Sequence, residues 1–133
     1  MKIVIDGKPM GKQRPRFNTK TGKAYTADKT VNYENWVKLC YQQQCKGEKL
    51  TGEVVAFINA YYTIPKSTSK KNKKDMLLGN IRPTIKPDVD NIAKVILDSL
   101  NSLAYKDDKQ IVFCSISKWY GEYPKVEVVL EEA

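Results

Sequence analysis

Asp90-Asn91-Ile92-Ala93-Lys94-Val95-Ile96-Leu97-Asp98-Ser99-Leu100-Asn101-Ser102-Leu103 is the stretch that decides the fold. Ile92, Val95, Ile96, Ser99, Leu100 and Leu103 recur at steps of three and four, which is the signature of a helix with one buried face. Asp90 is placed to cap it. Residues 104–109 read as a polar turn. Beyond them, 110–119 reads as a strand, 121–124 (Gly-Glu-Tyr-Pro) as a turn and 126–130 as a second strand, the two expected to pair as a hairpin. On the other side, in 53–64, Val54, Ala56, Ile58, Ala60, Tyr62 and Ile64 alternate along one face of a long strand that Pro65 ends. Lysine-rich 67–78 reads as a short exposed helix stopped by Gly79, and 80–87 as a loop held irregular by Pro83 and Pro87.

The N-terminal third follows the same logic. Ile3-Val4-Ile5 begins a strand turned by Asp6-Gly7, and 8–23 is a basic loop interrupted by proline and glycine. Tyr33, Trp36, Val37, Cys40 and Tyr41 form one helical face within 30–44, with Asp28 as cap and Gly47 as stop. Trp36 and Trp119 read as core. The order β-α-β-α-α-β-β predicts one α+β domain over residues 1–133, a mixed sheet with helices covering one face.

Composition narrows the function. The chain has 23 Lys and Arg against 15 Asp and Glu, a net charge of +8. A basic excess of this size in a small domain points to a polyanion, most often nucleic acid. Histidine is absent, which removes Ser-His-Asp and Cys-His catalysis and ordinary histidine zinc sites. Cys40, Cys45 and Cys114 lack metal or disulfide spacing, and Cys40 and Cys114 are expected to be packed thiols. No apolar run could span a membrane and the opening residues do not resemble a signal peptide, so a cytoplasmic protein is expected. No organic cofactor is expected either.

The acids are unevenly placed. Five of the 15 fall within residues 86–108: Asp88, Asp90, Asp98, Asp107 and Asp108. After Pro87, an extended Asp88-Val89-Asp90 would turn two carboxylates the same way. Convergent carboxylates repel unless a cation sits between them, and all-oxygen ligation suits Mg²⁺, with Mn²⁺ as a substitute. The bland alternative is a helix cap with a favourable charge beside it. Asp90, Lys94 and Asp98 share one helix face, where they make either part of a site or a surface ladder of ion pairs.

The run KPDVDNIAKVILDSLNSLAYKDDKQI (86–111) resembles the signature of the RusA family of Holliday junction resolvases. GKPMGKQRPRF (7–17) and Lys118-Trp119-Tyr120-Gly121 are also similar to the family's pattern. The resemblance implies a homodimeric, Mg²⁺-dependent endodeoxyribonuclease that resolves four-way DNA junctions by symmetric paired nicks in recombination and repair. By motif position it makes Asp88, Asp90 and Asp108 metal ligands and catalytic residues, with Asp107 the alternative to Asp108. Lys94 becomes the catalytic lysine, with Asn91 and Asp98 in support. The rival is a non-catalytic protein that binds branched DNA or single-stranded nucleic acid.

The proposed DNA contacts lie in the two basic segments. Residues 1–30 hold eight Lys and Arg against two acids, and 66–86 hold seven against one. Lys12, Arg14, Arg16, Lys70, Lys71, Lys73 and Lys74 are the candidates for phosphate contact. Asp108 raises a geometric question, because a helix over 91–103 is about 20 Å long and carries the chain away from Asp88. Either that helix is shorter or inclined, letting Asp108 begin a strand beside Asp88, or Asp108 reaches the other subunit's site. The first arrangement is preferred. Lys94 could also serve across the dimer.

Overall fold

The computed structural model describes residues 1–13, 16–25 and 28–133, with the side chains of Arg16 and Tyr25 outside the description. Strand β1 (Lys2–Asp6) leads to the two-residue pair β2 (Arg16–Phe17) and β3 (Ala24–Tyr25). Helix α1 (Asp28–Cys45), strand β4 (Val54–Thr63), helix α2 (Lys70–Leu77) and helix α3 (Val89–Leu100) follow. A single 3₁₀ turn (Asp108–Gln110) leads into β5 (Ile111–Gly121) and β6 (Lys125–Glu132). The expected α+β order is present, with β2 and β3 added. A ladder of two residue pairs, Arg16 with Tyr25 and Phe17 with Ala24, is too short to leave a periodicity.

The sheet order is β1-β6-β4-β5. Strand β4 lies antiparallel to β6 and parallel to β5. The expected hairpin of the last two strands does not form, because β4 sits between them. Residues 122–124 cross the end of β4, a span of two strand spacings or about 10 Å, within reach of the four Cα steps from Gly121 to Lys125.

Alternation sets the core. Val54, Ala56, Ile58, Ala60 and Tyr62 of β4 are buried with Ile3 and Ile5 of β1 and Val126, Val128 and Leu130 of β6. Ile92, Val95, Ile96 and Leu100 of α3 and Val37, Cys40 and Tyr41 of α1 pack on that face. The single hydroxyl proton of Tyr41 is shared between the carbonyls of Glu48 and Leu103, tying α1 to the loops that follow α1 and α3. Helix α1 packs on β1 and α3, while α3 packs on β5. The opposite sheet face is largely open, and Phe57 and Phe113 meet there with ring centroids 5.8 Å apart.

Three expectations are corrected. Trp36 lies at the surface of α1, its indole N–H donating to the Asp6 carbonyl at 2.8 Å. Trp119 belongs to the open face, bonded through its indole to Asn59 Oδ1 at 3.0 Å and covered by the Arg82 guanidinium at 3.5 Å. Cys40 is buried as expected, but Cys114 is exposed on β5, an edge strand with a neighbour on one side only.

Candidate active site

The segment before α3 is stapled to the sheet. The Lys118 ammonium donates to the Ile85 carbonyl and Tyr62 Oη to that of Pro87 at 3.1 Å, while Arg82 Nε donates to the Lys118 carbonyl. Burial, and then the charge of Asp88, push the Tyr62 hydroxyl up to about 12. From the other side the N-terminal loop closes in. Lys12 N–H donates to the Asn91 carbonyl at 3.1 Å, and a Cβ on Gly11 would fall 2.8 Å from that of Pro87, so only glycine permits this approach. Between these walls opens a cleft of about 510 Å³, with Asp88 and Asn91 on one side and Lys8 and Lys12 on the other.

Asp88 occupies the N-cap position of α3 in extended conformation (φ −69°, ψ 155°), and its side chain makes no capping hydrogen bond. The cap therefore falls two residues before the expected Asp90, which stands in the first helical turn. Val89 already belongs to the helix, so the two carboxylates are set by the helix start and not by strand alternation. Both are exposed at the positive end of the helix.

Lys94 lies one turn on, also exposed, and pairs with no acid among the described residues. The ladder Asp90–Lys94–Asp98 does not form. Asp98 instead pairs with Lys12 at 3.2 Å, and Lys12 also reaches Glu34 of α1 at 3.5 Å. Lys12 is therefore a clamp between the N-terminal loop and two helices, not a free phosphate contact. Sequence spacing concealed this because the three partners lie far apart in the chain.

Asp107 and Asp108 stand at the other end of α3. The Asp107 carboxylate accepts from Lys109 N–H at 2.9 Å, which holds it below the ordinary range, while its own N–H donates to Gln110 Oε1. The neighbouring Asp107 carboxyl, sharing a hydrogen bond, holds that of Asp108 above the ordinary range. Asp108 N–H donates to Oδ1 of Asn101, the residue that ends α3. The twelve residues of α3, about 18 Å, separate this turn from Asp88. The preferred arrangement, Asp108 beside Asp88 in one chain, is thereby excluded. Among the described residues no three acids or thiols converge as a metal-binding group.

Lys70, Lys71, Lys73 and Lys74 are all exposed on α2, which Ser69 caps through a bond from Asn72 N–H. At 100° per residue they cover an arc of about 160° on one side of the helix. Arg14 lies outside the described residues and Arg16 is described only as backbone in β2. Lys8 and Lys86, both exposed at the cleft, were missed; the signal for Lys86 was its place directly before Pro87-Asp88. No described helix is long and apolar enough to cross a membrane.

Comparison with known proteins finds a family match over nearly the whole chain. The family described as Endodeoxyribonuclease RusA matches residues 6–131. The Bacillus subtilis (strain 168) uncharacterized protein YqaN is 40% identical over 136 residues, covering 99% of this chain and 96% of that protein. With a match over nearly its whole length, the chain belongs to the RusA endodeoxyribonuclease family.

Proposed function

We propose that this chain resolves four-way DNA junctions by symmetric paired nicks, as a Mg²⁺-dependent homodimer acting in recombination and repair. The observation that carries the reading is the pair Asp88 and Asp90. In a protein of net charge +8, two carboxylates stand exposed at one helix start, beside a cleft with lysines on its walls. A purely structural cap would use its side chain, and Asp88 does not.

The donor set suits the ion. Mg²⁺ is commonly held by one or two carboxylates together with waters and a substrate phosphate, and Asp88 and Asp90 supply hard oxygens with no competing soft ligand. When bound, Mg²⁺ or Mn²⁺ would lower the pKa of a water and shield the phosphate oxygens. The remaining work falls to the chain. Lys94, one turn from Asp90, would hold a positive charge at the scissile phosphate. Lys8 and Lys86 would seat the backbone in the cleft, and Asn91 would line it. The lysines of α2 would hold an arm of the junction through its phosphates. Asp98 supports by fixing Lys12, and Asp107 by forming the turn that carries Asp108.

The test separates chemistry from binding. Asp88→Asn and Lys94→Ala should each lower junction cleavage at least a hundredfold while junction affinity changes less than about threefold. Unchanged cleavage in Asp88→Asn would leave the acids structural and favour a binding protein.

A further inference from the structure

Lys118 and Trp119 stand on β5 outside the acidic cleft, yet they grip the segment that leads into it. Successive strand residues face opposite sides of a sheet. Lys118 pairs with Ala60 and lies on the helix-covered face, close to Tyr62; Trp119 pairs with Tyr61 and lies on the open face. The chain from α2 to α3 passes around this edge strand from one face to the other. Gly79 meets the Trp119 ring. Arg82 stacks on that ring at 3.5 Å and bonds the Lys118 carbonyl at the strand edge. Ile85 then receives the Lys118 ammonium on its carbonyl. Pro87 comes last, its carbonyl held by Tyr62 Oη at 3.1 Å, directly before Asp88.

The Lys118 charge is used inside the protein. The ammonium lies 5.2 Å from the centroid of the Tyr62 ring, within cation–π range, and pairs with no acid among the described residues. Tyr62 is itself buried on the central strand β4, so the ring is a fixed seat. Lys118 and Tyr62 together fix the carbonyls of residues 85 and 87, and the segment ends at Asp88. The Asp88 side chain makes no capping bond. Its place is therefore set by the backbone before it and not by its own carboxylate.

We propose that Lys118 is a positioning residue of the metal centre: its ammonium, seated over Tyr62 and bonded to the Ile85 carbonyl, holds Lys86-Pro87-Asp88 so that the Asp88 carboxylate is preset for the ion. This rests on the reading of Asp88 and Asp90 as metal ligands. The other roles open to a lysine here predict different results. A phosphate contact would change junction affinity and leave the ion alone. A bare positive charge near a cation site would repel the cation, so its removal would tighten the ion. Loss of a positioning residue weakens the ion, by about ten- to a hundredfold when a ligand loses its supporting partner.

The test reads Mn²⁺ binding to the DNA-free protein by electron paramagnetic resonance, beside junction affinity in EDTA and junction cleavage across a Mn²⁺ series. Lys118→Met keeps the apolar stem and removes the donor. Lys118→Arg keeps a donor and a charge over the ring. Tyr62→Phe keeps the ring and frees the Pro87 carbonyl. Lys118→Met should raise the Kd for Mn²⁺ at least about tenfold, with unchanged circular dichroism and junction affinity within about threefold. Its cleavage should return as Mn²⁺ approaches saturation, because the reacting groups are intact. Lys118→Arg should bring the Kd back to within about threefold of wild type, and Tyr62→Phe should weaken the ion as Lys118→Met does. Unchanged or tighter Mn²⁺ binding in Lys118→Met overturns the proposal, and so does cleavage that stays lost at saturating metal. If Lys118→Met does not fold, Tyr62→Phe decides: a wild-type Kd for Mn²⁺ there overturns the staple. A wild type that binds no Mn²⁺ overturns the metal reading of the acids and the proposal with it. A wild type whose ion is weakened by Lys118→Met, but which cuts no junction, would sink the nuclease reading alone.

Discussion

Two buried tyrosines show how single groups are settled in this core. Tyr41 shares its hydroxyl proton between two carbonyls, whereas the Tyr33 hydroxyl is buried with no hydrogen-bond partner among the described residues. Tyr41→Phe should therefore cost about 1–2 kcal/mol, leaving two acceptors unpaired, while Tyr33→Phe should be neutral or mildly stabilising. Urea midpoints of the two variants check this, and an equal loss in both would contradict it. Gly79 offers a second case. Its φ is +82° and an added Cβ would lie 2.9 Å from the Trp119 ring, so Gly79→Ala should cost roughly 1–3 kcal/mol, measurable in the same way. The residue scale is also where the sequence was least readable. Asp88 and Asp90 both stand at the start of α3, but which of them caps the helix depends on where the helix begins, two residues before the expected cap. Lys12 resembles a phosphate contact until Asp98 and Glu34 are seen around it.

Among the elements, α3 and β4 were legible because local periodicity encodes which face is buried, and both have nearly continuous apolar faces. Strand partners are not encoded locally. Nothing between Ile111 and Glu132 announces that β4 will separate β5 from β6, so a short turn was read as a hairpin. The separation of Asp108 from Asp88 escaped for the same reason, since it depends on whether the chain folds back along the helix. Helix α2 allows a clean prediction. Its four lysines are exposed and their side chains make no ion pair among the described residues, so replacing Lys70, Lys71, Lys73 and Lys74 with Gln should leave the fold intact. Each lost phosphate contact should lower the salt dependence of duplex-arm binding by about 0.9 in log–log slope. Affinity measured across a salt series checks it; an unchanged slope would remove α2 from the DNA interface.

The core holds Tyr33, Tyr41, Tyr62 and Tyr105 as buried neutral groups. Burial and Asp88 raise Tyr62 to about 12, and burial drives Tyr33 and Tyr105 upward as well, with Cys40 adding in the first and Asp108 in the second. An unfolded tyrosine releases its proton near 10. Above that pH the unfolded chain has lost protons that the native chain keeps, so deprotonation favours unfolding. The stabilising effect is complete below about pH 10 and is lost as pH rises through the folded values. The urea midpoint should therefore hold level from about pH 7 to 9 and fall between about 10 and 12; a level midpoint across that window would show these hydroxyls to be solvated.

The central claim concerns DNA strands, and cleavage tests it most directly. A four-way junction labelled on each strand is incubated beside linear duplex, in Mg²⁺ or in EDTA, with wild type and Asp90→Asn. The expected result is a pair of symmetric nicks near the crossover, present only with the metal and only on the junction, and abolished in Asp90→Asn while binding persists. Tight junction binding without cleavage in either Mg²⁺ or Mn²⁺ would contradict the claim and leave a basic protein that holds branched DNA without cutting it.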